Sequence, residues 1–153
     1  MNKSCLLLLF AFCMPCIGFA GISPTSGETV KYINGKLDQF GTNIPSQVHK
    51  NCSIKYQRFQ LGENNCDAKI HLEMVGACRG ETIENFNLMN FKPSGNFLSG
   101  KIAFECKTSS ACVHGDLGRS MIITLYVNEP DQGLKVRDAV SHLIKICTKK
   151  ELF

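Results

Sequence analysis

The sequence has no apolar run long enough to cross a bilayer, no large excess of one charge, and no internal repeat or low-complexity segment. Each absence removes a class of protein. A membrane-spanning helix needs roughly 20 consecutive apolar residues, whereas the apolar core here runs from Cys5 to Phe12 and meets Pro15, Gly18 and Gly21. Lys and Arg number 17 against 13 Asp and Glu, a formal charge of +4. That imbalance is too slight to argue for nucleic acid or for an anionic membrane surface. Serine chemistry would be signalled by a Gly-x-Ser-x-Gly elbow, which is missing. Gly115 and Gly118 flank Asp116 and Leu117 without the lysine and following helix of a phosphate loop.

What is present first is an address. Lys3, the apolar core, and the small residues Gly18 and Ala20 read as a cleavable secretory signal over residues 1–20. Cys13 and Cys16 follow Phe12 and Pro15, not the small residue that lipoprotein processing requires, so no stable membrane anchor is expected. Removal of the signal leaves 133 residues, read as one domain over 21–153, exported to a periplasm or secreted. It also takes Lys3, leaving a charge of +3, and three of the nine cysteines. The remaining six are an even set in an exported chain, which predicts disulfides.

Along the mature chain, Val30, Ile33, Leu37 and Phe40 recur at helical spacing and Gly41 ends the pattern. Gly35 weakens that helix by about 1 kcal/mol relative to alanine. Residues 41–50 read as a polar connection. The period then becomes two: Ala68, Ile70, Leu72 and Met74 alternate with Asp67, Lys69, His71 and Glu73, as in a strand with one wet face. Residues 54–61 alternate less regularly, which suggests a bulge, and residues 62–65 read as a hairpin turn. Further strands are expected over 82–88, 97–106 and 121–127, with a loop around 108–118. Val136, Ala139, Val140, Leu143, Ile144 and Cys147 share the face of a final helix, with Asn128 as its expected cap and Pro130 in its first turn. The expected class is α+β: an antiparallel meander of about five strands flanked by an N-terminal and a C-terminal helix, braced by disulfides.

Sequence alone leaves many disulfide pairings open, but bridged Cα atoms lie within about 7 Å. A turn at 62–65 puts Cys52 opposite about Val75, near Cys78. Cys106 and Cys112 stand across a short connection. If both pairs form, Cys66 is left for Cys147.

Few residues offer chemistry. The histidines are His49, His71, His114 and His142, and His71 and His142 read as surface residues. Cys106, Cys112 and His114 include zinc-ligand types, yet the spacing is not that of a zinc site and export favours oxidised thiols. Six paired cysteines would leave no thiolate nucleophile. The carboxylates Glu63, Asp67, Glu73, Glu81 and Glu84 have no spacing that brings two together. Asn51-Cys52-Ser53 matches a glycosylation sequon that would crowd Cys52. No cofactor, metal or catalytic residue is therefore assigned. The leading expectation is an exported, non-catalytic domain that binds a protein, peptide or small ligand. The rivals are a small secreted hydrolase assembled only in three dimensions and a thiol-redox or metal-binding protein.

The order of a Tyr32-Ile33-Asn34-Gly35-Lys36-Leu37 helix, a meander, a Cys106-Lys107 to Cys112 hairpin and a His142-Leu143-Ile144-Lys145-Ile146-Cys147 helix resembles small exported bacterial domains of no established function. The resemblance covers most of residues 28–148. It implies an arrangement similar to pleckstrin-homology-like domains, with a curved antiparallel sheet closed by a C-terminal helix, and it carries over no catalytic residue.

Overall fold

Thr25 starts the first helix by a reciprocal cap: its side chain accepts from the Glu28 N–H at 3.2 Å, and the Glu28 carboxylate accepts from the Thr25 N–H at 2.8 Å. The cap sets the start of α1 (Ser26–Phe40), which buries Thr29, Ile33 and Leu37. The structure, a computed structural model, describes residues 23–45, 51–116 and 118–150, so the signal expected over 1–20 lies outside the described residues. Gly41 caps α1 with its N–H on the Leu37 carbonyl at 2.8 Å.

After the helix the described residues form nine strands, all paired antiparallel, in two sheets. The first sheet is six-stranded: β1 (Ile44–Pro45), β2 (Cys52–Leu61), β3 (Asp67–Gly76), β4 (Gly80–Asn87), β7 (Val113–Gly115) and β8 (Gly118–Ser120) lie side by side in that order. The second holds β5 (Asn96–Leu98), β6 (Lys101–Glu105) and β9 (Ile122–Tyr126). The chain closes with α2 (Pro130–Lys150), which packs on α1, on β5 and β6, and on a short 3-10 turn at Leu88–Asn90. The class is α+β, as expected, but two sheets replace the single curved meander.

The differences in connectivity have local causes. The stretch 97–106, expected as one strand, is a hairpin: Ser99 and Gly100 both have positive φ, 50° and 78°, and Leu98 pairs with Lys101 across them. A two-residue loop with left-handed backbone is what tightly paired strands require. The stretch read as a loop around 108–118 contains β7 and the first residue of β8. Between residues 41 and 50, Ile44 and Pro45 pair with Ile54 and Ser53. The bulge expected in β2 falls between Ile54 and Tyr56, and Cys52 stands opposite Gly76, next to the expected Val75, because the hairpin closes at Leu61 and Ala68. Pro130 takes the first helical position of α2, so Asn128 lies two residues ahead of the helix instead of capping it. Its N–H reaches back to the Phe40 carbonyl at 2.9 Å.

The core lies between the two helices and the facing sides of the sheets. Phe59, Ile70 and Phe86 from the first sheet meet Ile102, Phe104, Ile123 and Leu125 from the second, and Val136, Val140 and Ile144 from α2 close over them. Leu72 and Met74, further along the expected inner row of β3, are only half-buried. Three disulfides brace this core: Cys52–Cys78, Cys66–Cys147 and Cys106–Cys112, with Cα separations of 5.6, 5.6 and 6.0 Å. Hairpin geometry picked out the first and third of these pairs, and the second is the one they leave over. The second ties α2 to the β2–β3 turn. Three disulfides suit an oxidising compartment. Among the described residues, no helix is long and apolar enough to cross a membrane.

Candidate functional site

Two buried polar side chains hold the frame on which any site must stand. Gln57, 1 % exposed, sits on the inner face of β2. Its amide NH2 donates to the Gly41 carbonyl at 2.7 Å and to the Tyr126 carbonyl, and its Oε1 accepts from the Tyr126 N–H at 2.9 Å. One amide thus joins the first sheet, the second sheet and the end of α1. Asn34 on α1 does similar work on the backbone of Phe59, donating to its carbonyl and accepting from its N–H, each at 2.9 Å. Both side chains satisfy groups that would otherwise be left unpaired at strand edges.

Strand register then arranges the opposite, open face of the six-stranded sheet. Partners directly across a ladder project to the same side. Gln60 pairs with Lys69, Lys69 with Asn85, Asn85 with His114, and His114 with Arg119. These five residues form one transverse row over β2, β3, β4, β7 and β8. Lys69, Asn85, His114 and Arg119 are exposed and Gln60 is partly so. The next row holds Arg58, His71 and Ile83, paired in the same way. Two open depressions flank the first row and share Asp67, Ala68 and Asn85. One, of about 500 Å³, includes Gln60 and Lys69 and reaches Asn34 of α1. The other, of about 640 Å³, includes His114, Asn87 and Asn90 and is walled by Thr108 and Cys112 of the disulfide-closed loop.

The charges on this face are unevenly engaged. Glu73 pairs with Lys55 at 2.7 Å and Glu81 with His71 at 3.2 Å. Asp67 accepts from the amides of Asn64 and Asn87, and Asp116 accepts from the Ile83 N–H. Lys69 and Arg119 have no acidic partner among the described residues. Arg58 donates to the Tyr56 hydroxyl at 3.3 Å, a contact that holds its guanidinium more firmly in the charged form. On the inner face, half-buried Glu84 has its carboxyl raised above the usual range by burial. Burial, and then the charge of Glu84, raise the Tyr126 hydroxyl likewise.

The other expected chemistry is placed as follows. Cys106 and Cys112 are joined to each other, while His114 stands in the transverse row. Among the described residues, no three His, Cys, Asp or Glu side chains converge as metal ligands would. His49 lies outside the described residues. His71 meets Glu81 and, edge to face, the Tyr56 ring at 5.8 Å between centroids. His142 does not lie open on the helix surface as expected. It faces a groove between α1 and α2, lined also by Pro24, Tyr32 and Ala139. Its Nε2 stands 3.4 Å from the Ser23 hydroxyl and 3.2 Å from the Pro24 carbonyl. A carbonyl only accepts, so that nitrogen carries a proton in this contact and does not serve there as the base for Ser23. Glu84 lines a small depression with Thr82, Gly115, Asp116 and Arg119, without an ion-pair partner among the described residues.

Sequence reasoning missed the transverse row. Gln60, Lys69 and Asn85 were recoverable as wet positions of alternating strands. His114 and Arg119 were not, because they lie on strands of three residues that carry no period of their own.

Set against protein families, curated proteins and solved structures, the chain matches none of them. The reading of the site therefore rests on its own residues.

Proposed function

We propose that this chain is an exported, non-catalytic binding domain that presents the open face of its six-stranded sheet to a ligand in a periplasmic or extracellular compartment. The observation that carries the reading is the transverse row of Gln60, Lys69, Asn85, His114 and Arg119, aligned over five strands and flanked by two depressions. Such a row brings several hydrogen-bonding groups to one line on a rigid support, with the ladder fixing their spacing. The disulfides support export, because they persist where thiols are oxidised. They also leave Cys106 and Cys112 engaged with each other and not with substrate or metal. The hydrolase reading has the Ser23–His142 contact in its favour, and the proton on the shared nitrogen against it.

The test is a steric block. Asn85 is exposed at the centre of the row, on a strand that accepts an aromatic residue. Wild type and Asn85→Trp are passed over immobilised glycans, peptides and lipids. Saturable binding by the wild type, lost in Asn85→Trp and kept in Tyr32→Ala, is expected. Binding that survives Asn85→Trp and disappears with Tyr32→Ala would move the site to the groove between the helices and overturn the reading.

A further inference from the structure

The ligand class follows from which groups on the open face remain unengaged, an inference that rests on the binding role proposed for that face. Asp67, Glu73, Glu81 and Asp116 each already hold a partner there, so the acidic side of the balance is satisfied within the protein. Lys69 and Arg119 have no such partner among the described residues, whereas Arg58 beside them donates to the Tyr56 hydroxyl and feels the charge of Asp38. The formal charges of Lys55, Arg58, Lys69 and Arg119 on this face balance those of Asp67, Glu73, Glu81 and Asp116, and what sets Lys69 and Arg119 apart is that no acidic side chain among the described residues holds them.

Amides stand beside those cations. Asn85 lies between Lys69 and Arg119 in the row, Gln60 flanks Lys69 on its other side, and Asn87 and Asn90 line the adjoining depression. A side-chain amide offers both a donor and an acceptor, which suits a hydroxyl group that does the same. A lysine or arginine suits a carboxylate or sulfate. The order Gln60, Lys69, Asn85, His114, Arg119 therefore mixes hydroxyl-type and anion-type recognition along one line. Adjacent strands are roughly 4.8 Å apart, so Lys69 and Arg119, separated by three ladder steps, stand roughly 14 Å apart. A single small anion does not span that distance.

We propose that the row binds a linear acidic polysaccharide, with carboxylate-bearing sugars seated on Lys69 and Arg119 and hydroxyls on Asn85 and Gln60. An extended peptide would be captured along a sheet edge, through free backbone groups. This row instead runs across the strands, where the ladder already engages the backbone. A single-stranded nucleic acid would call for aromatic rings to stack its bases, and the row contains none.

The test measures the affinity of the full mature protein, in low salt, for three soluble probes: an oligogalacturonate, poly-glutamate as an acidic peptide, and neutral dextran. Oligogalacturonate is expected to bind at least about tenfold more tightly than poly-glutamate, a gap of one good charge-assisted contact, with no saturable binding of dextran. The double variant Lys69→Gln/Arg119→Gln should weaken oligogalacturonate by about tenfold or more, and Asn85→Leu, which leaves every charge in place, by about fivefold. Unchanged thermal melts will show that these exposed substitutions leave the fold intact. Equal binding of poly-glutamate, or indifference to Asn85→Leu, would reduce the effect to charge attraction and overturn the proposal. Absence of oligogalacturonate binding overturns it too. If the array in that case yields another ligand that Asn85→Trp blocks, the binding role of the face stands and only the polysaccharide falls. If Asn85→Trp blocks nothing, both fall.

Discussion

Gln57 concentrates more structural consequence than any other polar residue, because three backbone groups from two distant segments depend on one amide. Gln57→Glu keeps its shape but removes both donated hydrogen bonds and points carboxylate oxygens at two carbonyls. A loss of about 3 kcal/mol or more is expected, read as a lower urea midpoint with an unchanged slope. Glu84 gives the opposite case. Its folded pKa is raised by burial, so the protonated form favours the native state and ionisation works against it. The associated stability is complete at acid pH below the unfolded value and is lost as pH rises through the folded pKa. Glu84→Gln should therefore stabilise at neutral pH, by up to about 1 kcal/mol after allowance for solvent screening, and the gain should fade as both proteins are titrated below pH 4.5, the usual glutamate value. Neither role was legible in the sequence. Gln57 reads as a polar interruption in an irregular strand, and its partner Tyr126 lies 69 residues away.

Among the elements, those with their own period were visible and those defined by pairing were not. α1 and α2 announce themselves by apolar residues at helical spacing, and β3 by strict alternation. β1, β7 and β8 are two or three residues long, so they exist only as partners of longer strands. The Ser99-Gly100 turn was hidden for a different reason: the flanking residues continue a plausible strand, and only the left-handed backbone splits it. Gly41 shows the same limit in a helix terminus. It reads as a helix stop, and its φ of −108° is one that alanine accepts. What demands glycine is the approach of the Leu37 and Tyr126 carbonyls, 2.7 and 2.9 Å from where a Cβ would stand, and of the Gln57 amide. Gly41→Ala is expected to destabilise by about 1 to 3 kcal/mol through overpacking. Thermal unfolding checks the value, and a neutral outcome would show that the Gln57 junction yields.

For the whole molecule, the disulfides differ in reach. On the chain-entropy model, Cys66–Cys147, with a separation of 81 residues, contributes about 4 to 5 kcal/mol, whereas Cys106–Cys112, with a separation of 6, contributes about 2. Cys66→Ala/Cys147→Ala should therefore lower the unfolding midpoint well beyond Cys106→Ala/Cys112→Ala. Removal of the shorter bridge should instead loosen the wall of the depression beside His114, and hydrogen exchange in residues 107–111 reports it. If residues 1–20 are a cleaved signal, N-terminal sequencing of the mature protein is expected to begin at about Gly21.

The connectivity also has a temporal meaning. Cys66 lies between Cys52 and Cys78, which are joined to each other, and its own partner, Cys147, arrives near the very end of the chain. If the chain is exported from its N-terminus with residues 1–20 removed, Cys52 and Cys66 are the first cysteines to emerge, and an oxidase acting in order of arrival would join those two. The native pattern therefore requires the β2–β3 hairpin to hold them at opposite ends before oxidation, or an isomerase to undo the early bond afterwards.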